Sequence, residues 1–386
     1  MILFWCSVAA SAVAGIGCGY LITAAILLRR LARDGAAAGP AATPAVTILK
    51  PLHGNEAGLL ENLGSFCAQD YPGELQIICG VQHPGDGAVA VVERLRERKQ
   101  DCHLDVVVDA KVHGLNRKVS NLVNMAARIR HGVVVLADSD IRVDPGYLCR
   151  VIAALEQPGV GAVTCLYYGV ALNGVWARLA ALITNAQFLP SVAVALGFGL
   201  AHPCFGSTLA LRREALTAIG GFEPFVDCLA DDYAMGAALR AHGRNVVIPR
   251  FAVAHVCTQT SLRELWRHQL RWARTIRSID PIGYAGSLVS HPLGWALLAV
   301  LLGAGSTALL PAVGVAIAAI ACRMAVLREV EQAYGLPSQP YWLVPACDVL
   351  SFAVFAISFL NWKVSWRGHR FRMVAGDWTA DRGTNQ

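Results

Sequence analysis

From Ile2 to Leu28 no residue carries a charge. As a helix rising about 1.5 Å per residue, such a run reaches roughly 40 Å, more than the roughly 30 Å apolar core of a bilayer. The chain therefore starts with a segment suited to a membrane rather than to water. A cleaved secretory leader carries its basic residues ahead of a shorter apolar stretch, whereas here Arg29, Arg30 and Arg33 follow it. Residues 1–32 read as a retained anchor. The positive-inside bias of those arginines places the following domain in the cytoplasm.

What comes next excludes a pure membrane bundle. Of 386 residues, 55% are hydrophobic and 16% charged, too apolar for an average soluble enzyme and too polar over the middle of the chain for a transporter. The formal charge of +6 would fit a nucleic-acid partner, but Arg29, Arg30, Lys363, Arg367, Arg370 and Arg372 sit beside apolar spans. Anionic lipid headgroups account for them better, so a membrane partner and no nucleic acid are expected. The 12 cysteines stand singly, without a C-x-x-C pair or a Cys/His cluster at zinc spacing. Reduced, mostly buried thiols are expected, as a cytoplasmic domain requires.

After an Ala/Gly/Pro linker over residues 33–45, strand-like and helix-like segments alternate, which is the pattern of an α/β domain. Val46–Leu49, Leu75–Val81, Leu104–Val108, Val133–Ala137 and Val160–Cys165 are short apolar runs suited to buried strands. Helical patterns lie around Glu56–Phe66, Gly87–Lys99, Arg117–Arg130 and Pro145–Leu155. Near-continuous apolar strands separated by helices imply a mostly parallel sheet covered on both faces, with ligands at the strands' carboxyl ends.

A membrane region is expected over residues 283–365, followed by a basic tail at 366–386. Leu293–Cys322 is uncharged for about 45 Å of helix, with Gly303, Gly305, Ser306 and Pro311 offering a break, and Arg323 is expected near a membrane surface. Trp342–Trp362 is a further span; Asp348 inside it should face protein or lie near an interface. The tail favours a cytoplasmic C-terminus, which needs an even number of crossings after the α/β domain, whereas these runs offer three. Leu179–Ala201 is also uncharged but holds Asn185, Gln187 and Pro190, and reads as an interfacial segment lining a lipid groove rather than a crossing.

Four clusters carry chemistry. Asp138-Ser139-Asp140 follows the strand Val133–Ala137, so two carboxylates can converge on one hard cation beside a diphosphate leaving group, or simply form a turn. Asp231-Asp232-Tyr233 opens an amphipathic run; the acids can cap a helix, or one can take a proton from an attacking hydroxyl, a role assigned to Asp232. His268-Gln269-Leu270-Arg271-Trp272 lies in a basic, aromatic helix that either rests on a membrane or sets Arg271 against a diphosphate and Trp272 under a sugar. Gly114-Leu115-Asn116-Arg117-Lys118 opens a helix whose N-terminus and Lys118 suit a phosphate, or is an ordinary cap.

Taken jointly, these residues resemble the ceramide glucosyltransferases and the bacterial hopanoid-biosynthesis glycosyltransferases. The resemblance runs through Leu49-Lys50-Pro51-Leu52, Gly114-x-Asn116-x-Lys118-x-x-Asn121-Leu122, Asp138-Ser139-x-Ile141-Arg142-Val143, Gly206-Ser207, Asp232-Tyr233 and Arg271-Trp272, over nearly the whole chain. It implies a GT-A domain over residues 46–282, a UDP-sugar donor, a divalent metal (Mg2+ or Mn2+) and inversion at the anomeric carbon. By the same resemblance Asp138 and Asp140 are metal ligands and Asp232 the catalytic base. Lys50, Pro51, Asp86, Lys118, Asn121, Asp138, His268, Arg271 and Trp272 then fall to the donor. The chain departs from the pattern at His83, where relatives carry an acid and Asp86 substitutes, and at His268, where they carry Gln or Arg. The second departure argues against a processive polysaccharide synthase.

The implied reaction is single transfer of N-acetylglucosamine to a hopanoid polyol such as bacteriohopanetetrol at a bacterial inner membrane. Ceramide glucosylation from UDP-glucose is the runner-up. A noncatalytic scaffold would have no need of Asp138, Asp140 and Asp232 together.

Overall fold

The computed structural model describes residues 1–32, 42–99, 102–360, 363–366, 369–374 and 377–380. Most of the expected linker, and much of the basic tail, lie outside the described residues. The chain forms two compact units: Met1–Asp34, Gly169–His202 and Cys257–Gly376 make one; Gly35–Tyr168, Pro203–Val256 and Asp377–Gln386 make the other.

The first helix, α1 (Ile2–Ala32), covers the uncharged run and ends on its arginines. Strands and helices then alternate as β1 (Val46–Pro51), α2 (Leu59–Cys67), β2 (Leu75–Val81), α3 (Gly87–Arg98), β3 (Leu104–Val108), α4 (Arg117–Ala126) and β4 (Val133–Leu136). Next come β5 (Ile141–Arg142), α5 (Tyr147–Leu155), β6 (Val160–Thr164), β7 (Leu166–Ala171), α6 (Gly174–Ile183) and α7 (Leu189–Gly197). After β8 (Leu209–Arg212), α8 (Arg213–Ala218), α9 (Asp231–Ala241), β9 (Asn245–Val247) and β10 (Ala252–Cys257), the chain turns to helices. These are α10 (Leu262–Ile279), α11 (Pro281–Gly286), α12 (Pro292–Gly303), α13 (Leu309–Tyr334) and α14 (Val344–Ser358). Three strands close the chain: β11 (Lys363–Trp366), antiparallel to β12 (His369–Val374), and β13 (Asp377–Ala380).

The second unit is organised on a seven-stranded sheet in the order β3-β2-β1-β4-β8-β6-β9. β1, β2, β3 and β4 pair in parallel, as their unbroken apolar runs imply, and every residue of β1 and β4 is buried. β8 departs from a parallel reading: it is antiparallel to both β4 and β6. That reversal has a consequence for chemistry, because the start of β8 then lies at the carboxyl end of β4, with Leu136 opposite Leu209. β10 pairs antiparallel with β5, setting His255 opposite Ile141.

One core cluster fixes the helices on this sheet. Leu49, Ile78, Val134, Leu136, Leu209 and Leu211 pack with Val119, Leu122 and Met125 of α4 and with Met235 and Leu239 of α9. Both helices thus keep their N-termini, and the acids and lysine they carry, at fixed heights over the strand ends. Cys67 and Cys102 are joined as a disulfide, with Cα atoms 5.5 Å apart. This corrects the expectation of uniformly reduced thiols; the spacing hid the pair, since 35 residues separate two cysteines that the turn before β3 brings to the end of α2.

The first unit collects α1, α6, α7 and α10–α14. Among the described residues four helices are long and apolar enough to cross a membrane: Ile2–Leu31, Gly174–Gly197, Leu309–Tyr334 and Tyr341–Ser358. Pro281–Ser290 with Pro292–Gly303 form a fifth candidate bent by 63°. The long apolar stretch breaks between Gly303 and Leu309, as its glycines and proline imply. The segment read as interfacial is one continuous helix through α6, a π-helical turn at Thr184–Phe188 and α7, with Asn185 and Gln187 bonded within the unit. Arg323, expected at a membrane surface, is buried with Asp348, Nε to Oδ1 at 2.9 Å. Asp348 faces protein, as the cost of a bare carboxylate in hydrocarbon requires. The expected 46–282 domain also contains α6, α7 and α10, which pack with the apolar helices rather than with the sheet.

Candidate active site

Asp138 leaves the carboxyl end of β4, and its N–H donates to Gly206 O at 3.1 Å. The N–H of the same glycine donates to Asp232 Oδ2 at 2.7 Å, so one residue ties the strand-end acid to the acid that opens α9. A Cβ on Gly206 would lie 2.5 Å from Asp138 Oδ2, closer than real carbons approach, and 3.2 Å from Lys118 Nζ. A side chain there would push the carboxylate and the ammonium aside, so glycine lets the backbone come within touching distance of the carboxylate.

Lys118, in the first turn of α4, reaches both Asp138 Oδ1 at 2.8 Å and Asp231 Oδ2 at 3.0 Å. Its neighbour Asn116 caps α4 by accepting from Val119 N–H at 3.1 Å, and donates to Cys228 O at 2.7 Å and to Asp231 Oδ1 at 3.3 Å. Asp231 is 5% exposed and so depends on these partners to remain charged. Burial pushes Asp232 up to about 6, with the charge of Asp231 adding to the rise and Lys118 opposing it. Asp138 is likewise raised, first by desolvation and then by Asp140, with Lys118 again opposing. Lys118 itself is held above the ordinary lysine range, because the carboxylates outweigh its desolvation.

Asp140 stands at the outer side of the turn. Its backbone O accepts from Val256 N–H at 2.8 Å, and its Oδ2 lies 3.2 Å from His255 Nε2. His255 is 6% exposed and packs against the Tyr167 ring at 5.5 Å. Among the described residues, no group of three or more His, Cys, Asp or Glu side chains is preassembled around a metal. The donor set still fits a hard cation: Asp140 is 42% exposed at its side chain, and such ions take one or two carboxylates and fill their remaining positions from substrate phosphate and water.

The remaining residues singled out from sequence are divided between the two units. Lys50 is fully buried in β1; its Nζ donates to Asp138 O and lies 4.0 Å over the Phe66 ring. Burial lowers it to about 8, against the pull of Asp138 and Asp140. Pro51 ends β1, in register with Gly80. Asn121 Nδ2 donates to Gly80 O at 2.7 Å, and Asp86 caps α3 while accepting from Gly54 N–H at 2.8 Å. His268, Arg271 and Trp272 belong to the other unit, on α10, whose start Ser261 caps by accepting from Glu264 N–H at 3.2 Å. The His268 and Trp272 rings meet tilted by 48° with centroids 4.6 Å apart, and Trp272 meets Phe188 at 6.4 Å. The structure therefore gathers Asp138, Asp140, Asp232 and Lys118 at one set of strand ends. Sequence reasoning missed His255, Gly206 as a bridge and Asp231 as a partner of Lys118. A histidine inside an apolar strand was the one available signal.

A mostly parallel sheet with a reversed strand and carboxylates at its strand ends defines a GT-A glycosyltransferase fold. The fold resembles that of the mannosyltransferase PcManGT of Pyrobaculum calidifontis, solved with GDP-Man and Mn2+, at TM-score 0.51 and 21% identity over 92% of this chain and 99% of that one. The chain belongs to glycosyl transferase family 21, whose family model matches residues 9–378. It is 23% identical over 232 residues to ceramide glucosyltransferase 1 of Caenorhabditis elegans, 60% of this chain and 49% of the relative. It is also 25% identical over 279 residues to an N-acetylglucosaminyltransferase of Rhizobium meliloti, 67% of this chain and 64% of the relative. The chain thus spans half to two thirds of the length of these relatives.

Proposed function

We propose that this chain is an inverting glycosyltransferase that moves a sugar from a UDP donor to a hydroxyl of a lipid. The observation that carries the reading is the bridge at Gly206, which places the strand-end acid and the α9 acid on one rigid support. Asp232 takes the proton of the acceptor hydroxyl as its oxygen attacks the anomeric carbon. The bond from that carbon to the diphosphate oxygen breaks, and UDP leaves with the electron pair. Lys118 pairs with Asp138 and Asp231 but forms no ion pair with Asp232, whose raised affinity for a proton, to about 6, suits a base near neutral pH.

Asp138 and Asp140 would hold a divalent cation, which supplies positive charge to the diphosphate leaving group. The Mn2+ bound by the archaeal mannosyltransferase is consistent with that assignment. His268, Arg271 and Trp272 of α10 are assigned to the donor. Lys50, Pro51, Asp86 and Asn121 act on the donor through the loops and turn they hold.

The finer reading is transfer of N-acetylglucosamine to a hopanoid polyol at a bacterial inner membrane, with the sheet unit in the cytoplasm. The name of the rhizobial relative supports the sugar. A second reading, glucose to ceramide, is favoured by the names of the nematode relatives. Mass spectrometry of the lipids formed by the purified chain from UDP-N-acetylglucosamine or UDP-glucose, with bacteriohopanetetrol or ceramide, separates the two. A glycosylated hopanoid is the expected product. Absence of any glycolipid from all four pairs would remove the proposal.

A further inference from the structure

Within the first unit a polar cluster is buried among apolar helices. The Arg323 guanidinium on α13 donates to Asp348 on α14, to Ala186 O in the π-helical turn, and through Nη2 to Ser290 O at 2.7 Å. Gln187 Nε2 donates to Asp348 Oδ1 at 2.9 Å. Arg323 and Asp348 are 1% and 0% exposed, so the pair neutralises itself and has no net charge to offer a ligand.

Two polar atoms around this pair, Gln187 Oε1 and His291 Nδ1, have no partner among the described residues, and a third, Ser351 Oγ, is met only by the Cys347 thiol, a weak partner. Their closeness follows from the bonds. Gln187 and His291 each follow directly on a carbonyl held by the same guanidinium, and Ser351 lies one helical turn beyond Asp348. His291 also packs on Phe352 and Phe355, with ring centroids 6.0 and 5.0 Å away. Gln187 and His291 are 8% and 7% exposed, and a buried polar atom left without a partner costs stability. An amide oxygen can only accept, a hydroxyl can do either, and both flank a neutral ion pair walled by aromatic rings. The complement of that surface is a neutral, hydroxyl-bearing group on an apolar stem. A π-helical turn supplies one wall, a local irregularity that recurs at functional positions.

We propose that this cluster binds the hydroxylated head of a neutral lipid. The proposal rests on the lipid-acceptor reading and names Gln187, His291 and Ser351 as the side chains of the first unit that meet hydroxyls of the lipid head other than the one that is glycosylated. The test uses the full chain in phosphatidylcholine nanodiscs, with no sugar donor, and radiolabelled 1-O-hexadecylglycerol as the probe. Hexadecane and hexadecyl phosphate are the comparisons. Saturable binding of the diol is expected, with neither comparison binding as tightly. Gln187→Leu removes the accepting oxygen but also a bond to Asp348, so it is paired with Ser351→Ala and His291→Phe, which leave that bond in place. Each of these two should weaken diol binding about threefold to tenfold, the scale of one hydrogen bond.

Unchanged affinity in the Ser351→Ala, His291→Phe double variant overturns the proposal. So does tighter binding of hexadecyl phosphate, or no saturable diol binding at all, which would leave the three atoms to buried water. Because no transfer is measured, these outcomes are independent of the sugar-transfer reading. Glycolipid synthesis that persists alongside failed diol binding sinks this inference alone.

Discussion

Asp232 meets two demands with one side chain. Its Oδ2 is fixed by Gly206 N–H and its Oδ1 by Tyr233 N–H, while burial and Asp231 lift its affinity for a proton to about 6. Asp232→Asn keeps an acceptor for one of those bonds and removes the base. Turnover should fall about 100-fold or more, with UDP affinity nearly unchanged, in paired kinetic and calorimetric titrations. The same residue sets a pH dependence. Its folded value lies above the roughly 3.9 of a free aspartate, so the native state holds this proton more tightly than the unfolded chain. The group therefore opposes folding above pH 6, and the opposition fades as pH falls from about 6 towards about 4. Activity has the reverse sign: transfer should drop about tenfold per pH unit below 6, and the acid limb should vanish in the Asn variant. Gly206→Ala forces a carbon against Asp138 Oδ2 and Lys118 Nζ. Transfer should fall by about 10² as the acids shift, while the melting temperature moves by only a few degrees.

At the scale of elements, α4 links the site to the core. Asn116→Ala loses the cap on Val119 N–H together with the bonds to Cys228 O and Asp231, so a cost of about 1–2 kcal/mol in denaturant unfolding is expected. The start of this helix was legible because Asn-Arg-Lys after a glycine is a helix-opening pattern. The five apolar runs were equally legible, since a strand buried on both faces needs unbroken apolar sequence. The reversed β8 was not, because Leu209–Arg212 reads the same in either direction and only its pairing with β4 and β6 shows its sense. His255 stayed hidden for a related reason. Its role depends on β10 lying against β5, a pairing across more than a hundred residues that no local pattern encodes. Lys50 was assigned to the donor by resemblance alone; inside the fold its ammonium donates to the carbonyl of Asp138 and lies over the Phe66 ring.

Across the whole molecule, one unit carries convergent acids on a sheet and the other carries apolar helices, a division that suits the sugar transfer to a lipid proposed above. Excess EDTA should abolish transfer and leave the far-ultraviolet circular dichroism unchanged; full activity in chelator would remove the cation from Asp138 and Asp140. The apolar helices were visible as uncharged runs and Asp348 was expected to face protein or an interface, but Arg323 read as a residue near a membrane surface, because a pairing between two separate helices leaves no local signal. Gly206 sets a limit on remodelling this chain. Because its amide hydrogen and its carbonyl oxygen hold different acidic residues, any loop graft that displaces this single α-carbon shifts Asp138 and Asp232 together, and with them, in the proposed mechanism, proton removal and leaving-group handling. Engineers seeking a new sugar preference must therefore alter the surroundings of residue 206 while leaving its backbone still.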